Sequence, residues 1–167
     1  MGMNAVVVFE SLWGNTAAVA RAIADGIGPG TRVLSTSEAT PQVVADAGLL
    51  VAGCPVIAFG VPTQQRLEGV RTEVGRAPSD PDLTQPPMHQ WLDGLAQGTG
   101  RCAAFDTRVR GPFGSASPKV LRATERLGYR SVVKPEALHV SGKYGPLRDG
   151  ELDRARRWGQ DLGRQSA

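Results

Sequence analysis

The chain has 167 residues, 41% of them apolar and 21% charged, with 19 basic and 16 acidic side chains for a net charge of +3. That composition is globular, long enough to bury one core unaided, and neither disordered nor membrane-like. Two cysteines are too few for a disulfide framework or a zinc site, two histidines leave little for triad chemistry, and no apolar run nears the ~18–20 residues of a membrane span.

Residues 4–9 form a Val-rich apolar run, which predicts a strand buried on both faces. Residues 11–16 then turn, and Thr16 is expected to cap a helix over 17–27, where Val19, Ile23 and Ile27 recur at helical spacing. A short strand at 32–35 and a helix over 41–47, opened by Thr40-Pro41, lead to a third strand at 49–53. A long loop (54–62) and a helix over 64–74 follow. Four prolines make 77–87 loop, and a helix resumes over 88–95. The fourth strand is expected at 102–105, a second long loop at 107–114, and a helix over 118–127 capped by Ser115 or Ser117. Residues 130–133 and 137–140 are extended and interrupted by Pro135, so they form one broken strand or two short ones. A last helix spans 150–162. Strands alternating with helices predict an α/β fold, a doubly wound five-stranded parallel sheet in the order 2-1-3-4-5, as one domain over 1–167.

In such a sheet, ligands bind beyond the carboxyl ends of the strands, where the strand order switches. That brings together three loops, at 10–16, 54–62 and 106–114. Ser11, Leu12, Trp13, Gly14, Asn15 and Thr16 run from a buried strand into a helix N-terminus, which offers backbone N–H donors to an anion. The loop has no Lys or Arg, so a phosphate would be held by neutral donors; an ordinary strand-to-helix turn with a Thr cap reads the same string equally well. GxxxxGK[ST] is absent, which argues against a nucleotide triphosphatase, and the GxG at Gly26-Ile27-Gly28 closes a helix instead of opening one. A phospho-receiver would need paired acids after strand one and Asp after strand three, where this chain has Glu10 alone and Gly53-Cys54. No G-x-S-x-G elbow supports a hydrolase.

Ser11-x-x-Gly14-Asn15-Thr16 after a Val-rich first strand resembles the phosphate loop of the flavodoxin family, [ST]-x-[ST]-G-x-T. Gly53-Cys54-Pro55-Val56-Ile57-Ala58-Phe59-Gly60 resembles the family's G-x-P-T-[HWY]-x-x-G, and the loop at Asp106, Thr107 and Arg108, continuing to Gly111 and Phe113, resembles its ring-contacting loop after strand four. With Tyr144-Gly145-Pro146-Leu147, the resemblance covers essentially the whole chain, in a form seen in GC-rich bacteria. Trp13 stands where the family usually has a hydroxyl residue, and Val56-Ile57 where it places Thr and an aromatic or His.

The resemblance implies a flavodoxin-like fold, bound FMN and electron transfer with a redox partner protein or a small-molecule acceptor. Two other readings keep the fold: an NAD(P)H-dependent FMN reductase of quinones or small acceptors, and an interaction module that has lost FMN. The expectation is a cytoplasmic monomer or dimer with no nucleic-acid or membrane partner. Arg66, Arg108, Arg110 and Lys143 are expected to form a basic mouth. Phe59, Phe113, Tyr144 and Trp13 are the aromatics placed to stack on a flavin, whereas Trp91 and Trp158 suit core packing.

Overall fold

The computed structural model describes residues 3–166; the ends of the single domain expected over 1–167 lie outside them. Strand β1 (Ala5–Phe9) buries Val6, Val7 and Val8 completely. Each such side chain contributes roughly 1.5–3 kcal/mol relative to leaving it in water. Helix α1 (Asn15–Ile27) follows, then β2 (Arg32–Ser35), α2 (Pro41–Val44) and β3 (Leu49–Pro55). Helices α3 (Gln64–Arg71) and α4 (Met88–Asp93) precede the long strand β4 (Arg101–Val109). The chain ends with α5 (Ser117–Arg126), β5 (Arg130–Ser131), β6 (Glu136–Val140) and α6 (Glu151–Ser166).

The sheet runs β2-β1-β3-β4, with β5 and β6 both beside β4, and every pair is parallel. This is the expected 2-1-3-4-5 order, with its fifth strand in two pieces. Arg101 faces Arg130, but Phe105 faces Glu136, so the register slips by two residues across the Pro135 interruption. Alternate residues of each strand face opposite layers. Ala5, Val7, Leu49, Val51 and Phe105 pack against α1 and α6; Val6, Val8, Leu50, Ala52 and Cys54 pack against α2, α4 and α5. Trp158 meets Phe105 edge-on in the first layer, and Trp91 lies in the second with its indole N–H on Ala39 O, so both tryptophans are core.

Helices α1 and α6 approach closely because glycines line their contact. A Cβ on Gly159 would lie 2.1 Å from Ile23 O, and one on Gly26 2.0 Å from Arg156 O.

Several boundaries differ from the sequence expectation, each for a long-range reason. β4 continues to Val109 instead of ending at 105, because β6 pairs with it from Phe105 to Val109. Thr16 does not cap α1: Gly14 takes that position at φ 93°, and the Thr16 hydroxyl bonds to that of Thr107 instead. Neither Ser115 nor Ser117 caps α5. Its free N–H groups at Ala116 and Ser117 donate to Asp106 Oδ2, at 3.0 and 2.8 Å, so a strand side chain supplies the cap. The Thr40 cap of α2 is as expected, its hydroxyl accepting from Val43 N–H. Both cysteines are buried and free.

Candidate functional site

The carboxyl edge of β1, β3 and β4 opens into a cavity of about 460 Å³. That is within the usual range of small-ligand sites. One end is built from the turn between β1 and α1. Ser11 Oγ accepts the N–H groups of Gly14 and Ala17, at 3.1 and 3.2 Å, and holds the turn tight. Ser11 N–H donates to Gln85 Oε1. The N–H groups of Leu12, Trp13, Asn15 and Thr16 find no acceptor among the described residues. Four unpaired donors at the start of a 13-residue helix, beside a glycine with open space around it, are what an anion requires. The Trp13 side chain contributes no donor here: its indole N–H is taken by Ser79 O at 3.1 Å, and its ring meets Tyr144 edge-on at 4.9 Å.

The other end is apolar and framed by the residues after β3. Ile57 and Gly60 exchange both backbone hydrogen bonds across a two-residue turn whose central residues, Ala58 and Phe59, have φ 47° and 69°. Glycine or asparagine normally fills such positions, and each side chain there costs about 1–2 kcal/mol. Neighbouring groups hold the turn. Arg66 donates to Ala58 O and Val61 O. Gly114 sits so close to Phe59 that a Cβ would come 2.2 Å from its carbonyl oxygen. Gly114 O in turn accepts from Arg108 Nη1, and Arg108 Nε lies 3.0 Å from the buried carboxylate of Asp106. The strained turn leaves Phe59 68% exposed at the rim, with Phe113 49% exposed across from it.

Arg66, Arg108 and Lys143 all line the cavity; Arg110 does not. The expected basic mouth is thus weaker than the count of cations suggests. Arg108 is paired with Asp106, Lys143 with Glu73, and Arg66 is spent on two carbonyls. Behind the cavity lies a buried row across three strands: Glu10, Cys54 and Asp106. Burial pushes the Glu10 carboxyl up to about 7, although its bond from Met88 N–H pulls the other way. Burial, with Glu10 and Asp106 nearby, pushes the Cys54 thiol well above its ordinary value, which makes it an inert core residue.

Of the residues singled out in the sequence, Ser11, Leu12, Trp13, Asn15, Thr16, Pro55, Val56, Ile57, Ala58, Phe59, Thr107, Arg108 and Phe113 line this cavity together. Gly14, Gly60, Asp106 and Gly111 are not on its wall. Gly14 shapes the turn, Gly60 packs on the Arg66 guanidinium, Asp106 caps α5, and Gly111 sits under the Phe113 ring. Sequence reasoning missed Gly69, Val70, Val109 and Val140, which complete the wall. Val70 had a signal, since it follows Leu67 at helical spacing. Val109 and Val140 had none, because they reach the site only through the extended pairing of β4 with β6.

No known protein-family profile matches the chain, and no curated protein sequence does. Solved structures do. A flavodoxin from the domain Archaea superposes with a TM-score of 0.67 at 20% identity, over 98% of this chain and 99% of the other. Oxidised flavodoxin 1 from Bacillus cereus gives 0.66 at 14% identity, over 96% and 97%. A WrbA-like flavodoxin from Agrobacterium tumefaciens gives 0.62 at 16% identity, over 99% and 100%. The chain therefore has a flavodoxin-like fold.

Proposed function

We propose that the cavity binds FMN and that the protein carries electrons between a redox partner protein and an acceptor. One observation carries this reading: unpaired N–H groups and an apolar slot stand at opposite ends of a single cavity, as a molecule with a phosphate at one end and a flat ring at the other requires. Leu12, Trp13, Asn15 and Thr16 would hold the phosphate through their backbone N–H groups, with Ser11 Oγ fixing their direction. Val56, Ile57 and Phe59 on one side, with Thr107, Val109 and Phe113 on the other, would enclose the ring and keep water from it. FMN would supply the electron-accepting ring. The flavodoxins named above share the fold that sets these loops side by side, which supports the reading.

The absorption spectrum of the purified protein tests it, followed by titration of the apoprotein with FMN and with riboflavin. Tighter binding of FMN than riboflavin is expected, because only FMN engages the loop at 11–16. A protein that binds neither would be an interaction module on the same fold. A second reading, reduction of quinones or other small acceptors at the expense of NAD(P)H, is favoured by the exposed Phe59 and Phe113 rim, which offers a flat apolar acceptor a place to land. Oxidation of NAD(P)H without a partner reductase separates it from the carrier reading.

A further inference from the structure

The segment joining α3 to α4, residues 72–87, does more than connect. It runs back over the outside of the loop at 11–16 and is tied to it at three points. Asp82 N–H donates to Leu12 O at 2.8 Å, Gln85 Oε1 accepts from Ser11 N–H at 3.2 Å, and Ser79 O accepts from the Trp13 indole. Leu83 adds an apolar contact to the small cluster of Leu12, Leu67 and Val70, outside the two main core layers. On the far side of the same loop, Asn15 Nδ2 donates to Tyr144 O, and Gly145 packs on the Asn15 side chain. Glu73 closes the circle: its carboxylate accepts from both Lys143 Nζ and Tyr144 O–H. The phosphate-type loop is therefore held between two surface segments that are fastened to each other.

The fastenings are of a kind that opens. The segment's own hydrogen bonds, from Gly75 N–H to Asp80 and from Thr84 and Gln85 to Asp82, are solvent-exposed. Of its residues only Pro81 and Pro87 are buried, whereas every residue of β1 and β3 beneath is buried except Phe9 and Pro55 at their ends. Segments with exposed hydrogen bonds and few buried contacts have the lowest opening free energies in a fold. Two of its attachments hold side chains that line the cavity: Glu73 holds Lys143, and Ser79 O holds the Trp13 indole.

We propose that residues 72–87 are a clasp behind the phosphate end of the cavity, latched by Glu73 and Trp13, and that the ligand enters and leaves when this clasp opens and releases Trp13 and Lys143, the two cavity-lining residues it holds. Trp13 thus supplies a latch at the position where the related motif has a phosphate donor. The inference rests on the FMN reading for its ligand but not for its motion.

The test uses the full chain and its Glu73→Gln and Trp13→Phe variants, the second keeping an aromatic ring, though a smaller one, and losing the N–H. In the apoprotein, hydrogen exchange at the amides of Ser11, Gly75 and Asp82 is expected to quicken by about tenfold in Glu73→Gln, the loss of one charge-assisted bond, while amides of β1 and β3 stay unchanged. Unchanged exchange at those three amides overturns the clasp, as does a uniform rise across the sheet, which would mean global destabilisation. Stopped-flow mixing with FMN then tests access. Association and dissociation are expected to accelerate together in both variants, with the equilibrium constant changed less than either rate. Faster dissociation at constant association would mean that Glu73 and Trp13 are ordinary ligand contacts and would overturn the gate. Absence of any FMN binding, with the exchange result intact, sinks the FMN reading and leaves the clasp established.

Discussion

Thr16 Oγ1 and Thr107 Oγ1 lie 2.7 Å apart, joining the first turn of α1 to β4 beneath the cavity, with both side chains buried. The bond sets the distance between the anion-binding turn and the strand that carries Arg108. A buried hydroxyl left without its partner costs about 1–3 kcal/mol, whereas removing both partners is nearly neutral. Thr107→Val alone should therefore lower unfolding stability in urea by that amount. Adding Thr16→Val should recover most of the loss. Additive losses in the double variant would show that the two hydroxyls do not depend on each other.

Glu10 makes stability depend on pH. Its folded-state carboxyl titrates near 7 against an ordinary 4.5, raised by burial. The folded protein thus keeps a proton that the unfolded chain has lost. The stability this contributes is fully present below 4.5 and is lost as pH rises through 7. Asp106 and Cys54, the other titratable groups of the buried row, face it from β4 and β3. Glu10→Gln keeps an acceptor for Met88 N–H and cannot ionise. Its stability relative to the parent should grow by roughly 3 kcal/mol between about pH 4 and about pH 8.5, read from denaturation midpoints. A difference independent of pH would place the Glu10 carboxyl in its ordinary range.

The contact of α1 with α6 has no room for a methyl group at Gly159, since the nearest obstacle is the backbone oxygen of Ile23 at 2.1 Å. Backbone cannot rotate away as a side chain can. Gly159→Ala raises helix propensity by about 1 kcal/mol, yet overpacking costs about 1–3 kcal/mol or more, so the net should be destabilising. Gly69, on α3 with nothing within 4 Å of its would-be Cβ, is the control: Gly69→Ala should stabilise. Thermal unfolding of the pair should move in opposite directions.

The sheet and its two layers were legible because buried parallel strands are written as unbroken apolar runs, as in Val6-Val7-Val8 and Leu49-Leu50-Val51. The loops at 11–16 and 55–60 were legible because their chemistry is local. What stayed hidden depends on partners distant in sequence. The cap of α5 comes from Asp106, ten residues before Ala116. Lys143 reads as a free mouth cation until the fold sets Glu73, 70 residues earlier, against it. Four prolines identified 77–87 as loop but not what it covers. Its docking uses the backbone groups of Ser79, Asp82 and Leu12, which residues of almost any type would supply.

Phe59 is where stability and function should pull apart. Its φ of 69° is one that glycine adopts freely and a phenylalanine does not, and its side chain is 68% exposed, so the folded protein gains little from burying it. Phe59→Gly removes roughly 1–2 kcal/mol of backbone strain. Against this stands the greater freedom of a glycine in the unfolded chain, about 0.4–1 kcal/mol. The net expectation is a protein as stable as the parent or up to about 1.5 kcal/mol more so. The same change deletes an aromatic from the rim of the apolar slot. FMN affinity should fall by about tenfold, since an aromatic contact contributes about 0.5–1.5 kcal/mol beyond its buried area. Riboflavin, which shares the ring, should lose the same factor. Calorimetric unfolding and flavin titration of the one variant read both quantities. A loss of stability with affinity intact would mean that the turn holds Phe59 for the fold's sake and that the ring lies elsewhere.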